Sequence, residues 1–254
     1  MKKVLVIGDG CKDVFQYGKC DRLCPEAPVP VFKPLRATNN NGMALNTYAN
    51  LVALGVDCDI ITTSGITKTR YVDETSNQMI VRVDENDNAE RINNNVLETI
   101  DFSKYVAVVI SDYNKGFLFA EDILYITKQH RFVFMDTKKK MDDWALGVKF
   151  IKINEREFKE NTTQNFVKEF LNNLIVTKGK NGATLISLGD SEDILIEEVH
   201  MVRDLSGAGD TFLAGLVADY IKNNDIRSAI RFANKCASWV VTQKGVVVVD
   251  LTKI

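Results

Sequence analysis

Short apolar runs alternate with helix-period segments along this 254-residue chain, and that alternation constrains the fold more than any single motif. Lys3–Gly8, Cys58–Thr63, Tyr105–Ser111, Phe132–Asp136, Phe150–Asn154 and Leu174–Thr177 each read as a buried strand. Met43–Leu54, Phe119–Gln129 and Glu155–Lys159 carry apolar residues at helical spacing, and a further short helix is expected near Asn165–Leu171. Strands that are apolar on both faces, joined by helices, form a mainly parallel sheet covered on both sides. Such sheets bind ligands outside the carboxyl ends of their strands. The expectation is therefore a three-layer α/β/α fold.

Two stretches break the rhythm. Residues 14–36 hold all four prolines and an extended segment, Val29–Phe32, and residues 70–84 alternate as Met79-Ile-Val-Arg-Val83. Both read as strands outside the main alternation, either edge strands or a small separate sheet forming a lid. In the last third, Ala183–Leu188 and Ile194–Val199 form a hairpin-like pair around Gly189-Asp190. Helices Ala208–Lys222 and Ile226–Thr242 follow, then a strand, Val246–Val249. Asn39-Asn-Asn41 and Asn93-Asn-Asn95 read as turn-forming clusters.

Composition removes several classes. With 32 basic and 34 acidic residues the formal charge is −2, without the basic excess of a nucleic-acid binder. No run of 18 apolar residues occurs to span a membrane. Met1-Lys-Lys3 is followed by a four-residue apolar run and Gly8, which reads as a strand and not as an export signal. Five cysteines without such a signal suggest free thiols in a reducing, cytoplasmic setting. Cys20 and Cys24 lack further ligands at zinc spacing, and His130 and His200 stand alone. Both histidines read as structural or surface residues, and Trp144 and Trp239 as packing residues.

The strongest local signal is Asp204-Leu-Ser-Gly-Ala-Gly-Asp-Thr211, running straight into an apolar helix. Ser206 can cap, and Gly207 and Gly209 admit a ligand close to backbone. The free N–H groups of the first turn, with the helix dipole behind them, form an anion site. Asp210 lies in that turn. Donors that neutralise a transferring phosphoryl group, beside a base for an attacking hydroxyl, are what phosphoryl transfer requires. The alternative is a plain Ser206-capped helix with Asp210 merely favourable at its start. No Gly-x-x-x-x-Gly-Lys-Ser/Thr is present, so this is not a P-loop.

This segment resembles the Asp-Thr-x-Gly-Ala-Gly-Asp signature of the ribokinase-like (PfkB) sugar kinases. Gly8-Asp-Gly-Cys-Lys-Asp13, Cys24-Pro-Glu-Ala-Pro-Val-Pro-Val31, Asn41-Gly-Met-Ala-Leu-Asn46, Asn50-Leu-Val-Ala-Leu-Gly55, Lys68-Thr-Arg-Tyr71 and Ser111-Asp-Tyr-Asn-Lys-Gly116 resemble segments of the bacterial heptose-7-phosphate kinases, in order. The resemblance implies a ribokinase-like fold over residues 1–254 as one kinase domain, with lid segments 14–36 and 70–84. It implies Asp210 as catalytic base and Gly207, Ala208 and Gly209 as the anion hole. Asp13, Gly42 and Asn46 fall where the family holds sugar hydroxyls. Asn41 replaces a usual Gly there, so its side chain either narrows the site or adds a hydrogen bond.

Lys68 and Arg70, two apart on an extended segment, point the same way and would clamp a phosphate on the sugar; the alternative is a solvated strand. Asp112 and Lys115 follow a strand end and either line the cleft or, for Asp112, cap a helix. Asn154-Glu-Arg-Glu157 resembles the family's Asn-x-x-Glu element for Mg²⁺ and phosphate, with both side chains on one face. Thr177, Gly179 and Gly182 resemble its nucleotide-binding turn, and Asn234 falls where the last long helix passes the adenine. Lys138-Lys-Lys140 reads as a solvated loop. The resemblance thus implies an ATP- and Mg²⁺-dependent kinase acting on a sugar or sugar phosphate, foremost C1 of D-glycero-D-manno-heptose 7-phosphate, and a homodimer through the lid. Other acceptors (a hexose phosphate, a free sugar, a nucleoside), a degenerate sugar- or nucleotide-binding regulator, and an assembly role for the lid remain alternatives. No fused nucleotidyltransferase is expected before Ile254.

Overall fold

The structure, a computed structural model, describes residues 3–161, 173–187, 190–197 and 201–254. The helix expected at Asn165–Leu171 and His200 lie outside the described residues.

Eight strands form the main sheet: β1 (Lys3–Gly8), β4 (Cys58–Thr62), β7 (Tyr105–Asp112), β8 (Val133–Thr137), β9 (Phe150–Asn154), β10 (Leu174–Thr177), β11 (Ala183–Ser187) and β12 (Asp190–Ile194). Their order is β12-β11-β10-β9-β8-β7-β1-β4. All neighbours from β4 to β10 pair in parallel, and only β11 and β12 run antiparallel. The period of two explains why the strands read as unbroken apolar runs. In β1, Val4 and Val6 face one layer and Leu5 and Ile7 the other, all fully buried.

The first layer contains α1 (Ala44–Ala53), α5 (Ala208–Asn223) and α6 (Ile226–Val240). There Tyr220 meets Phe134 and Phe150 edge-on, at 5.4 and 4.8 Å between ring centroids. The second layer includes α3 (Ala120–Gln129), whose Ile123 and Ile126 pack under β7 and β8. This is the expected three-layer α/β/α arrangement. Two short helices, α2 (Asn94–Glu98) and α4 (Glu155–Asn161), complete the helices used below. Asn93 caps α2 by accepting from the Asn95 N–H at 2.9 Å, so the 93–95 cluster opens a helix.

A second sheet has the order β3-β2-β5-β6, from β2 (Gly10–Lys19), β3 (Lys33–Met43), β5 (Thr67–Asp73) and β6 (Met79–Glu85). Phe15, Tyr17, Val72 and Val246 cluster on its inner face. Four expectations fail locally. Asn39, Asn40 and Asn41 lie inside β3, because the ladder to β2 satisfies their backbone. Val29–Phe32 forms no strand; between β2 and β3 only Leu23 and Pro30 make a bridge, since proline has no N–H to offer a ladder. Val246–Val249 is no strand either: the Val249 N–H donates to the Asn50 side chain at 3.0 Å. The last hairpin pairs Ser187 with Asp190 and Ala183 with Ile194, so Ile194 ends the returning strand instead of starting it.

Candidate active site

The turn before α5 is pinned by Asp204, which accepts from the Ser206 N–H at 2.8 Å and the Gly245 N–H at 3.0 Å. Ser206 is not the cap. Gly207 is, with φ of +80°, a left-handed conformation that glycine adopts without cost. The Asn46 amide sits where a side chain on residue 207 would begin. Ala208 N–H donates to the Leu205 carbonyl at 3.3 Å and Thr211 N–H to Gly207 at 2.9 Å. The amides of Gly209 and Asp210 have no carbonyl partner among the described residues and open ahead of the helix. Asp210 is only 4% exposed. One carboxylate oxygen accepts from the Tyr113 hydroxyl at 2.7 Å and the other from Asn46 Nδ2 at 3.0 Å. Burial pushes its pKa up to about 6, against the pull of those two donors.

On one side of Asp210 lies the small sheet. Its register pairs Cys11 with Gly42, Asp13 with Lys68 and Phe15 with Arg70, so all six share the inner face. Asp13 is buried and ion-paired with Arg70. A β-carbon on Gly42 would collide with the Asp13 carboxylate, so the glycine makes room for it. Lys68 is 9% exposed, with no carboxylate within 4.0 Å among the described residues. Its ammonium lies 5.5 Å from the centre of the Tyr113 ring. The shared direction expected of Lys68 and Arg70 holds, but Arg70 is already engaged by Asp13.

Three expectations change here. Asn41 pairs with Lys12 on the outer face and is exposed, so it neither narrows the site nor adds a bond to it. Its neighbour Asn40, opposite Asp13, is the asparagine on the inner face. Asp112 is 1% exposed and spent on Thr137 Oγ1 (2.5 Å), Lys139 Nζ (2.6 Å) and the Asn114 N–H (3.0 Å), which removes it from the cleft. Lys115 pairs with Asp87. Asn46 has both polar atoms engaged: Oδ1 accepts from Asn50 at 3.0 Å while Nδ2 holds Asp210. It fixes the Asp210 carboxylate.

On the other side, a cleft is lined by Tyr113, Asp136, Lys138, Lys152, Ala208 and Gly209. Lys152 Nζ donates to Asp136 at 2.6 Å and lies 3.0 Å from where a side chain on Gly209 would start, beside the free amides. Lys138 is not a solvated loop residue: its ammonium bridges Asp136, at 3.3 Å, and Glu157. Burial pulls its pKa down, but those two anions more than offset it and hold it above the usual lysine value, so it stays charged. Asn154 and Glu157 form a reciprocal cap on α4, each side chain accepting from the other's N–H at 2.9 Å.

Among the described residues no three acidic, histidine or cysteine side chains gather as a metal cage. Mg²⁺ needs none, because it is held by one or two oxygen side chains, waters and substrate phosphates. Glu157 turns its second carboxylate oxygen to Lys138, a cation that lines the cleft, so that oxygen already binds positive charge. That donor set fits Mg²⁺ at Asn154 and Glu157. The cleft continues into an apolar cavity of about 340 Å³ lined by Thr177, Gly179, Gly182, Leu205, Phe212, Asn234 and Ala237, among others. The expected turn and helix positions thus meet. Asn234 spends its Nδ2 on the Ile194 carbonyl, at 3.0 Å.

Sequence reasoning missed Lys152, although it stands two residues before Asn154 on one strand and therefore shares its face. It also missed Tyr113, which lies inside the segment Ser111–Gly116. His130 is structural: its ring nitrogens lie 3.1 and 3.3 Å from the Phe132 and Tyr105 carbonyls. No helix among the described residues is long and apolar enough to cross a membrane.

Comparison with known proteins agrees with this geometry. The bifunctional protein HldE of Helicobacter pylori strain J99 is 30% identical, over 100% of this chain and 66% of the relative. The chain thus spans about two thirds of the length of the curated relatives it matches. Ribokinase from Thermotoga maritima superposes with a TM-score of 0.74 at 15% identity, covering 98% of this chain and 97% of that one. Arabidopsis thaliana ribokinase, complexed with ribose and ATP, gives 0.69 at 14% identity, covering 96% and 94%. These solved structures establish the ribokinase-like fold. Residues 43–253 match the pfkB family carbohydrate kinases, and the chain therefore belongs to that family of sugar-phosphorylating enzymes.

Proposed function

We propose that the chain transfers the γ-phosphoryl group of ATP to a hydroxyl of a sugar that already carries a phosphate, with D-glycero-D-manno-heptose 7-phosphate, phosphorylated at C1, as the foremost acceptor. The observation that carries this reading is Lys68, a nearly buried cation on the inner face of the small sheet with no carboxylate within 4.0 Å among the described residues, the Asp84 opposite it on β6 being paired with Arg82. A desolvated charge without a close counter-ion of its own is costly, and a substrate phosphate would supply that counter-ion. The likeness to the HldE proteins and to the opening segments of heptose-7-phosphate kinases supports the choice of heptose. The solved ribokinase with ribose and ATP supports ATP as donor.

The parts then take roles. The adenine enters the apolar cavity between Thr177, Phe212 and Ala237. The phosphates run over the Gly209 and Asp210 amides toward Lys152. Asp13, held by Arg70, accepts sugar hydroxyls. Asp210 removes the proton of the attacking hydroxyl. A new oxygen–phosphorus bond forms as the bond to the bridging oxygen breaks in line, and ADP leaves with the electron pair. The amides and Lys152 hold the charge on the transferring group. Mg²⁺, held by Asn154 and Glu157, would add neutralisation of the β- and γ-phosphates.

Release of ADP by the purified chain, measured over a panel of free sugars, hexose phosphates, heptose 7-phosphate and nucleosides, tests this. Turnover is expected with phosphorylated sugars, highest with heptose 7-phosphate. Preference for a free sugar or a nucleoside overturns it.

A further inference from the structure

Tyr113 belongs to none of the roles above, yet it meets Asp210 and lies between two cations of the site. Its hydroxyl donates to Asp210 Oδ1 at 2.7 Å. Its ring centre lies 5.5 Å from the ammonium of Lys68, which comes from the small sheet, and 5.3 Å from that of Lys138, which comes from the end of β8. The loop that carries it is held from below. Asp9, fully buried, accepts from the N–H groups of Tyr113 at 2.7 Å, Lys115 at 3.2 Å and Phe117 at 3.4 Å. Asp112 fixes the next residue through the Asn114 N–H. A buried carboxylate satisfied only by the backbone of one loop is a strong device for fixing that loop.

We propose that Tyr113 is a positioning residue for phosphoryl transfer, its hydroxyl locking the Asp210 carboxylate in the orientation for proton removal and its ring spacing the two cations that flank the reacting groups. The proposal rests on Asp210 being the base. Asn46 holds one carboxylate oxygen from α1 and Tyr113 the other from the loop after β7, so the carboxylate cannot rotate about its last bond. One lone pair on each oxygen stays free for an acceptor hydroxyl. The phenol also donates to the ionised form and favours it against burial. The other titratable groups that face Asp210 are Asp136 from β8, Lys152 from β9 and Cys11 from β2. None of them donates a hydrogen bond to it, so the phenol's contribution is separable.

Tyr113→Phe keeps the ring and deletes the donor. Its kcat is expected to fall about 20-fold, with KM for ATP and for the sugar phosphate within about twofold. The acid limb of the kcat profile, and the Asp210 carboxyl signal in a ¹³C NMR titration assigned against Asp210→Asn, should both move up by about one pH unit. Incorporation of 3-fluorotyrosine at position 113 gives a stronger donor of nearly the same shape, and it should move both midpoints down. Unaltered kcat with unmoved midpoints overturns the proposal. So does a fall in kcat with unmoved midpoints in both variants, because loss of packing alone would produce it. If Asp210→Asn retains turnover, the base assignment itself is lost; if only the Tyr113 variants behave as the unaltered chain, the base stands and Tyr113 does not position it.

Discussion

The two ends of the site are built on opposite principles. Toward the small sheet, recognition uses charged side chains on a paired strand face: Asp13, Arg70 and Lys68, locked by the β2–β5 register. Toward β9 and β10, it uses a helix N-terminus, loop backbone and an apolar cavity, with the charged groups already paired among themselves as Lys152–Asp136 and Lys138–Glu157. A strand face sets directions, so an acceptor can be discriminated by where its hydroxyls and phosphate lie. An amide cradle and an apolar slot recognise features that any nucleoside triphosphate shares. On the proposed function, specificity therefore belongs to the small sheet and turnover to the junction, where Asp210 is held from both sides.

The junction gives the largest effect. Asp210→Asn should lower kcat roughly 10³-fold while KM for ATP stays within about twofold, as read from ADP release. A fall in ATP affinity matching the loss of turnover would break the separation of ends. Next comes Lys68→Ala, expected to raise KM for a phosphorylated acceptor about 30-fold through the lost charged contact without changing KM for ATP. Ala237→Phe is its mirror: a ring filling the apolar cavity should raise KM for ATP about tenfold and leave the acceptor unaffected. Cross-effects of either substitution on the opposite ligand would show the two ends to be one coupled site.

Much of this was legible in the sequence. The apolar runs predicted the main-sheet strands β1, β4, β7, β8, β9 and β10 within a residue or two, because a strand buried on both faces writes itself as a continuous apolar string. The Gly-Ala-Gly-Asp turn predicted a helix start with free amides beside a carboxylate, because few other patterns bring the two together. What stayed hidden was contact across distance. Asn46 reads as a sugar-binding residue until α1 places its amide against Asp210, 164 positions away. Lys138 reads as solvated until the end of β8 places it between Asp136 and Glu157. Asp112 reads as a cleft residue until Lys139 and Thr137 fold back onto it.

Asn41 is the sharpest test of the strand-face argument, because it stands beside the site in sequence and outside it in register. The side-chain period of two places Gly42 and Asn40 on the inner face with Cys11 and Asp13, and Asn41 with Lys12 on the outer one. Were specificity spread along the segment, Asn41→Ala would change acceptor KM as a contact residue does. With specificity confined to one face, Asn41→Ala should change both KM values and kcat by less than about twofold, since exposed substitutions without buried partners stay within about 0.5 kcal/mol. Gly42→Ala, one position on, drives a methyl group into the Asp13 carboxylate and should raise acceptor KM severalfold. Equal effects from the two neighbours would mean that β3 slips against β2, and the face assigned to Asp13 would go with it.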